Sequence, residues 1–149
     1  MDNDQIQEII QDFFVKFGFD VSVRVLEFKD NTYFVKINAP EAKFLIGTNG
    51  EILLDIQSVL NKIIQKTSKE QLYVDLDVND YKEHRLKYIK GMAKDIADEV
   101  SKTKFPTELP PLSAYERRIV HMELVGREDI ITESIGQGED RRVVIKLKQ

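Results

Sequence analysis

The sequence contains no cysteine and no tryptophan. Without cysteine, a disulfide framework, a Cys-ligated zinc or iron–sulfur site and a thiol nucleophile are all excluded. No apolar run approaches the ~18 residues of a membrane-spanning helix. The amino terminus, MDNDQIQEII, is acidic where a secretory signal peptide would be basic. These absences predict a cytoplasmic protein without membrane insertion.

A net positive charge is missing too. The 149 residues include 22 Lys and Arg against 26 Asp and Glu, which gives a net charge of -4 and disfavours binding to a polyanion by bulk attraction. The acidic excess is uneven, because residues 1–78 hold 8 basic and 13 acidic side chains whereas residues 79–149 hold 14 and 13. Any contact with nucleic acid is therefore expected to be local, and the second half is the better candidate.

Histidine is scarce, with only His84 and His121. Neither stands in a recognisable catalytic spacing, and the sequence has no Gly-x-Ser-x-Gly, His-Glu-x-x-His or Gly-x-x-x-x-Gly-Lys segment. Asp75, Asp77 and Asp80 are close enough in sequence to suggest a metal cluster, but Asp75 and Asp77 share the polar face of a predicted strand, where such pairs are usually solvated. We predict no enzyme, no metal site and no cofactor; the alternative is a weak nuclease that uses His121.

Apolar periodicity predicts the order α-β-β-α-α-β for the first half of the chain. One helix ends before Gly18, two alternating runs form a hairpin, and residues 41–46 form a short helix. A further helix and a strand over residues 72–78 complete the order. The apolar stripe predicted for that further helix consists of Ile52, Ile56, Val59, Leu60 and Ile63.

Four residues, Gly47, Thr48, Asn49 and Gly50, separate the two neighbouring helices. Glycine has no Cβ, so the backbone can turn sharply and approach another backbone, and the next helix offers free N–H groups to an anion. A plain helix-turn-helix connector would use glycine in the same way. Here the residues on both sides of the loop are apolar enough to form a groove for bases, which favours a phosphodiester chain as the ligand.

This element order and loop resemble the type II KH domain over residues 2–78, with FLIGTNGEILLDIQSVLNKI as the most similar segment. In that family the GXXG loop clamps the backbone of about four nucleotides of a single strand. The middle positions of the loop are usually basic, whereas Thr48 and Asn49 carry no charge. This departure and the acidic excess of residues 1–78 favour weak or selective binding over tight binding, and a KH surface can also serve as a dimer interface.

The second half is predicted to begin with a long helix to about residue 103. Residues 105–112 contain three of the four prolines and are predicted to be an extended connector. Ser113 and Glu116 form a Ser-x-x-Glu capping box that opens a helix to about residue 125. Strands over residues 129–135 and 141–147 follow. On the last strand, alternation leaves a cationic row on the face away from the core: Arg142, Lys146 and Lys148.

Arg117 and His121 are four residues apart on the capped helix, so they project from one face. A guanidinium can grip a phosphate or stack on a base, and a nearby imidazole can donate a hydrogen bond or stack. The alternative is a purely structural helix, in which Arg117 pairs with Glu116 or another neighbour and His121 packs half-buried.

The segment SAYERRIVHMEL, followed by an RRVVI strand, resembles the R-three-H domain, which is named for its Arg-x-x-x-His motif. The resemblance implies single-stranded nucleic-acid binding through Arg117 and His121, supported by Arg142 and assisted by Arg118. A KH domain (1–78), a long helix (79–104) and an R-three-H core (105–149), in that order, are similar to the bacterial Jag family of SpoIIIJ-associated proteins, also called KhpB or EloR. The expected fold class is α+β.

The family resemblance implies a protein that binds single-stranded RNA, or single-stranded DNA, without catalysis. It further implies an RNA chaperone or post-transcriptional regulator linked to cell-envelope growth or shape, with a second copy or a small KH protein as partner. The alternative is a protein–protein adaptor whose KH domain is a dimerisation module. Members of the family usually begin with a small Jag-N domain and a linker; we expect this chain to lack them, which puts their role in doubt here.

Overall fold

The computed structural model describes all 149 residues as an α+β protein with two three-stranded sheets. The chain divides into two compact units, Met1–Lys82 and Glu83–Gln149. None of the helices combines the length and the apolar character that are needed to cross a bilayer.

The first unit has the predicted element order α-β-β-α-α-β. Strands β1 and β2 are antiparallel, and β2 pairs in parallel with β3, giving the sheet order β1-β2-β3. The two helices between β2 and β3 provide the crossover that a parallel pair needs. The elements are α1 (Asn3–Lys16), β1 (Ser22–Lys29), β2 (Thr32–Asn38), α2 (Ala42–Ile46), α3 (Glu51–Ser68) and β3 (Tyr73–Val78).

The buried face of α3 differs from the predicted one. Leu53, Leu60 and Ile64 are buried and Ile56 is partly buried in the core of the first unit. The predicted stripe was wrong for three of its five members, since Ile52, Val59 and Ile63 are 38–46% exposed. Apolar residues surround most of this helix, so the periodicity of the sequence could not identify the side that packs on the sheet.

The second unit contains most of the long helix and a small antiparallel sheet with the order β4-β6-β5. The predicted proline-containing connector is wrong in one respect, because two of its residues form the short strand β4. Thr107 and Glu108 pair with Ile145 and Val144 of β6, in the part of the segment that has no proline. The elements are α4 (Tyr81–Thr103), β4 (Thr107–Glu108), α5 (Ala114–Leu124), β5 (Ile130–Ile135) and β6 (Arg142–Leu147).

The core of the second unit is built on one apolar face of α4. Its fully buried members include two alanines, whose small side chains allow close packing. Strand β6 contributes Val143 and Ile145 to this core as alternation predicts, and Leu147 packs partly buried against it. Val144 lies on the opposite face and is also only 5% exposed. The buried α4 residues are Ile89, Ala93, Ala97 and Val100.

Candidate nucleic-acid interface

The loop between α2 and α3 has the backbone conformation that its two glycines suggest. Gly47 has φ 72° and ψ -173°, and Gly50 has φ 81°. Asn49 between them also has a positive φ of 54°, which asparagine tolerates better than most residues. Thr48 and Asn49 are exposed, whereas Gly50 is buried. The loop therefore presents its two uncharged polar side chains to solvent and holds its second glycine inside.

Both glycines are required by space as well as by conformation. A Cβ on Gly47 would lie 2.5 Å from Cγ1 of Ile52, and a Cβ on Gly50 would lie 2.9 Å from Cε1 of Tyr81. Neither distance is compatible with ordinary van der Waals contact. The loop is thus packed against the first turn of α3 on one side and against an aromatic ring on the other.

The start of α3 has no side-chain cap. Gly50 is its N-cap residue and supplies no side-chain cap, so the first N–H groups of an 18-residue helix have no side-chain acceptor. Glu51 in the first turn opposes an anion by its charge. The cation of α2 is Lys43, and its Nζ lies 5.1 Å from the centroid of the exposed Phe44 ring. The first unit therefore offers backbone donors with little accompanying positive charge.

In the second unit, the predicted capping box opens α5. The Ser113 hydroxyl accepts a hydrogen bond from the backbone N–H of Glu116, and the Glu116 carboxylate accepts one from the backbone N–H of Ser113. Glu116 also pairs with Arg85, at 2.9 Å between Nε and Oε1. This cap fixes the first turn of the helix that carries the Arg-x-x-x-His motif.

Arg117 is oriented by a neutral acceptor. Its Nη1 donates a 2.7 Å hydrogen bond to the backbone carbonyl of Leu112, and the side chain is half-buried. No carboxylate pairs with it, in contrast to Arg85, Arg127 and Arg142. The guanidinium thus keeps its full charge, and its Nε–H and Nη2 groups have no protein acceptor.

His121 is held by two hydroxyl groups of strand β5. Its Nδ1 lies 2.5 Å from Oγ1 of Thr132 and its Nε2 lies 3.0 Å from Oγ of Ser134. Burial lowers the pKa of His121 below its ordinary value of 6.5, and the positive charge of Arg117 lowers it further. A neutral imidazole has one donor and one acceptor, so one hydroxyl donates to the ring and the other accepts from it. The ring edge is therefore occupied within the fold.

Two features of this site agree with the alternative in which α5 is a purely structural helix. His121 is half-buried, and Arg117 bonds within the chain, although to the Leu112 carbonyl rather than to Glu116. Thr132 and Ser134 are site residues that the Arg-x-x-x-His motif does not include. Their alternation on β5 with Ile131 and Glu133 places both hydroxyls on the face that meets His121, and that pattern was available in the sequence.

The remaining predicted residues of the second unit lie apart from Arg117 and His121. Arg118 is exposed on another side of α5 and has no carboxylate partner. Arg142 lies 3.6 Å from the Glu108 carboxylate and donates to the Asp140 carbonyl, while Lys146 lies 2.8 Å from the Glu133 carboxylate. The predicted cationic row is therefore largely neutralised, because acidic side chains from β4 and β5 flank it.

The chain matches one known domain family and several curated proteins. Residues 87–147 match the R-three-H domain family. The chain is 33% identical over 130 residues to the RNA-binding protein KhpB of Clostridium symbiosum, and 31% identical over 115 residues to the RNA-binding protein KhpB of Bacillus subtilis (strain 168). These alignments cover 87% and 76% of this chain, but 58% and 55% of the two relatives. The chain thus spans a little over half the length of these two relatives.

Proposed function

We propose that this chain, which carries an R-three-H domain and is similar to KhpB proteins over most of its length, binds single-stranded RNA without catalysing a reaction on it. The relatives themselves are named as RNA-binding proteins. The proposal places the protein in the cytoplasm and gives it two contact regions. One is the face of α5 in the second unit that carries Arg117 and His121, with Arg118 and Arg142 as separate contacts of the same unit. The other is the loop Gly47–Gly50 of a type II KH domain in the first unit.

The observation that carries this proposal is the state of Arg117. Its one hydrogen bond, to the Leu112 carbonyl, orients the guanidinium without cancelling its charge. The free Nε–H and Nη2 groups can then donate to a phosphate, the anion that matches the planar fork of arginine. Because the side chain is already oriented, less conformational entropy is lost when the phosphate binds.

His121 supports Arg117 from the same face of α5. Its hydrogen bonds to Thr132 and Ser134 attach α5 to β5, which fixes the backbone that carries Arg117. A neutral ring also avoids placing a second desolvated cation beside the guanidinium. We therefore assign His121 a positioning role, with its ring face as the part that can stack on a base.

The test is a fluorescence-anisotropy titration of the intact chain with a short, labelled single-stranded RNA. Arg117→Gln keeps an N–H donor for the Leu112 carbonyl and removes the charge, so we expect weaker binding and a salt dependence that is shallower by about 0.7, the value of one phosphate contact. Lys102→Ala, an exposed cation of α4 without a carboxylate partner, is the matched control. Unchanged affinity for Arg117→Gln would exclude this residue as a contact.

For the first unit, Asn49→Asp tests the loop without disturbing its backbone, because aspartate also tolerates a positive φ. The new carboxylate would repel a phosphate at the loop, and we expect a lower affinity for RNA. Asn31→Asp is the matched control, since Asn31 is exposed, lies in a tight turn of the same unit and has φ 58° against 54° for Asn49. Equal affinities of the two variants would argue that the loop does not contact RNA.

Self-association or pairing with a small KH protein is the second proposed property, and an exposed apolar stripe on α3 favours it. Ile52, Val59 and Ile63 are each at least 38% exposed on one side of the helix. If this stripe is the interface, the wild type should sediment as a dimer and Val59→Asp as a monomer.

A role as an RNA chaperone or regulator linked to the cell envelope stays a prediction from the family resemblance.

A further inference from the structure

We infer that a groove between α4 and α5 of the second unit is an additional contact surface for single-stranded RNA, in which a base packs on Tyr115 while Lys90 and Arg118 contact the flanking phosphates. This inference rests on the proposed function. It concerns residues of α4 and α5 outside the Arg-x-x-x-His pair, and it assigns a role to the exposed aromatic ring of α5.

The groove has a volume of about 540 Å³ and is built from two helical stripes. One wall consists of residues at the spacing i, i+3, i+4, i+7 on α5, and the other consists of a residue pair at i, i+4 on α4. At about 100° per residue, the α5 stripe lies roughly 130° around the helix from Arg117 and His121. The wall residues are Tyr115, Arg118, Ile119 and Met122 on α5, and Leu86 and Lys90 on α4.

The composition of the groove is that of a stacking surface with cations at its rim. Tyr115 is 70% exposed and Met122 is 67% exposed, which is a large apolar area for two neighbouring turns of one helix. Leu86 and Ile119 are half-buried beneath them. An exposed aromatic ring beside apolar side chains offers a face to a base of any identity.

The charges of the groove favour a phosphodiester chain over a protein segment. Lys90 and Arg118 are exposed, and neither pairs with a carboxylate. Lys94, one turn further along α4, is also exposed and without a carboxylate partner, so it extends the positive surface. Glu123 is the single acidic residue of the lining. Arg85, Arg127, Arg142 and Lys146 of this unit pair with carboxylates instead. Lys90, Lys94 and Arg118 therefore form a cluster of cations without carboxylate partners, separate from Arg117.

Two variants of the intact chain separate the roles of ring and charge. Tyr115→Leu keeps an apolar side chain and removes the stacking face, so we expect binding to a labelled oligouridylate to weaken about tenfold with an unchanged salt dependence. Lys90→Ala/Arg118→Ala removes two phosphate contacts, so the slope of log affinity against log salt should become shallower by about 1.4. Lys62→Ala/Lys102→Ala removes the same charge at exposed positions outside the groove and is the control.

Three outcomes are possible, and each is informative. A tenfold loss for Tyr115→Leu together with the shallower slope of the double variant, relative to the control, supports the groove as an RNA contact. If the wild type binds RNA and the groove variants bind as tightly as the control, the inference is wrong and Arg118 is not an RNA contact. The proposed function then stands on Arg117, and the groove is left to a protein partner. If the wild type binds no single-stranded RNA, the proposed function itself fails.

Discussion

Replacing Gly47 by alanine should destabilise the first unit by about 2–5 kcal/mol, from a conformational and a steric contribution. The first is conformational: φ 72° with ψ -173° lies in a region that is essentially reserved for glycine, which costs about 1–3 kcal/mol for any other residue. The second is steric: the new methyl group would lie 2.5 Å from Cγ1 and 2.8 Å from Cδ1 of Ile52. Ile52 is β-branched and helical, so its χ1 rotation offers little relief.

A double-mutant cycle isolates the steric part. Ile52→Ala removes the two closest atoms and leaves only its Cβ, at 3.0 Å from the added methyl group. The double variant Gly47→Ala/Ile52→Ala should therefore be more stable than the sum of the single variants by about 1–2 kcal/mol. Gly18→Ala is the comparison for a positive φ without a steric clash, because Gly18 has φ 80° and no atom within 4 Å of an added Cβ.

The assay must report on the first unit by itself, since a chain with two compact units need not unfold in one step. Native-state hydrogen exchange of peptides from α3 reports the free energy of opening there, and peptides from α5 provide an internal reference that should not change. A cost for Gly47→Ala no greater than that for Gly18→Ala, or additive effects of Gly47→Ala and Ile52→Ala, would show that the contact with Ile52 does not make Gly47 necessary.

Two further predictions concern the second unit. Ser113→Ala removes one half of the capping box, so the unfolding free energy of this unit should fall by about 1 kcal/mol. Hydrogen exchange of α5 amides measures the loss, with α3 amides of the first unit as the internal reference that should not change. Burial lowers the pKa of His121 in the folded protein, so the unfolded chain binds the proton more readily. The contribution of His121 to the stability of this unit should therefore be fully present above the ordinary pKa of 6.5, and the stability should decrease as the pH falls below it. His121→Gln should flatten that pH dependence, and an unchanged profile would count against the burial of the ring.

Much of the fold could be predicted from periodicity and capping. The order of elements in the first unit, the buried face of α4 and the reciprocal cap of Ser113 and Glu116 all follow from local rules. The buried face of α3, by contrast, depends on residues that are distant in sequence. The face of α3 was mispredicted because apolar residues occur around most of the helix, and only packing against the sheet selects Leu53, Leu60 and Ile64.

The site shows the same division between local and distant information. The sequence places Arg117 and His121 on one helical face, but the hydroxyl partners of the histidine come from β5. Alternation on β6 puts Arg142 on the outer face, yet the carboxylate that lies beside it belongs to Glu108 of β4. A strand of two residues carries almost no periodic signal, so neither β4 nor its effect on the charge of β6 could be read in advance.

The order of strands in the second sheet bears on how the chain folds during synthesis. Strand β6 lies between β4 and β5, so both outer strands depend on the one that is translated after them. The first unit has all its elements by residue 82, whereas the second sheet is incomplete until residue 147 has been added. At ~5–20 residues per second this interval is roughly 3–13 s. During this interval the edges of β4 and β5 and the apolar face of α4 lack their main partner. A chaperone that binds exposed strand edges and apolar surface would therefore act mainly in this interval.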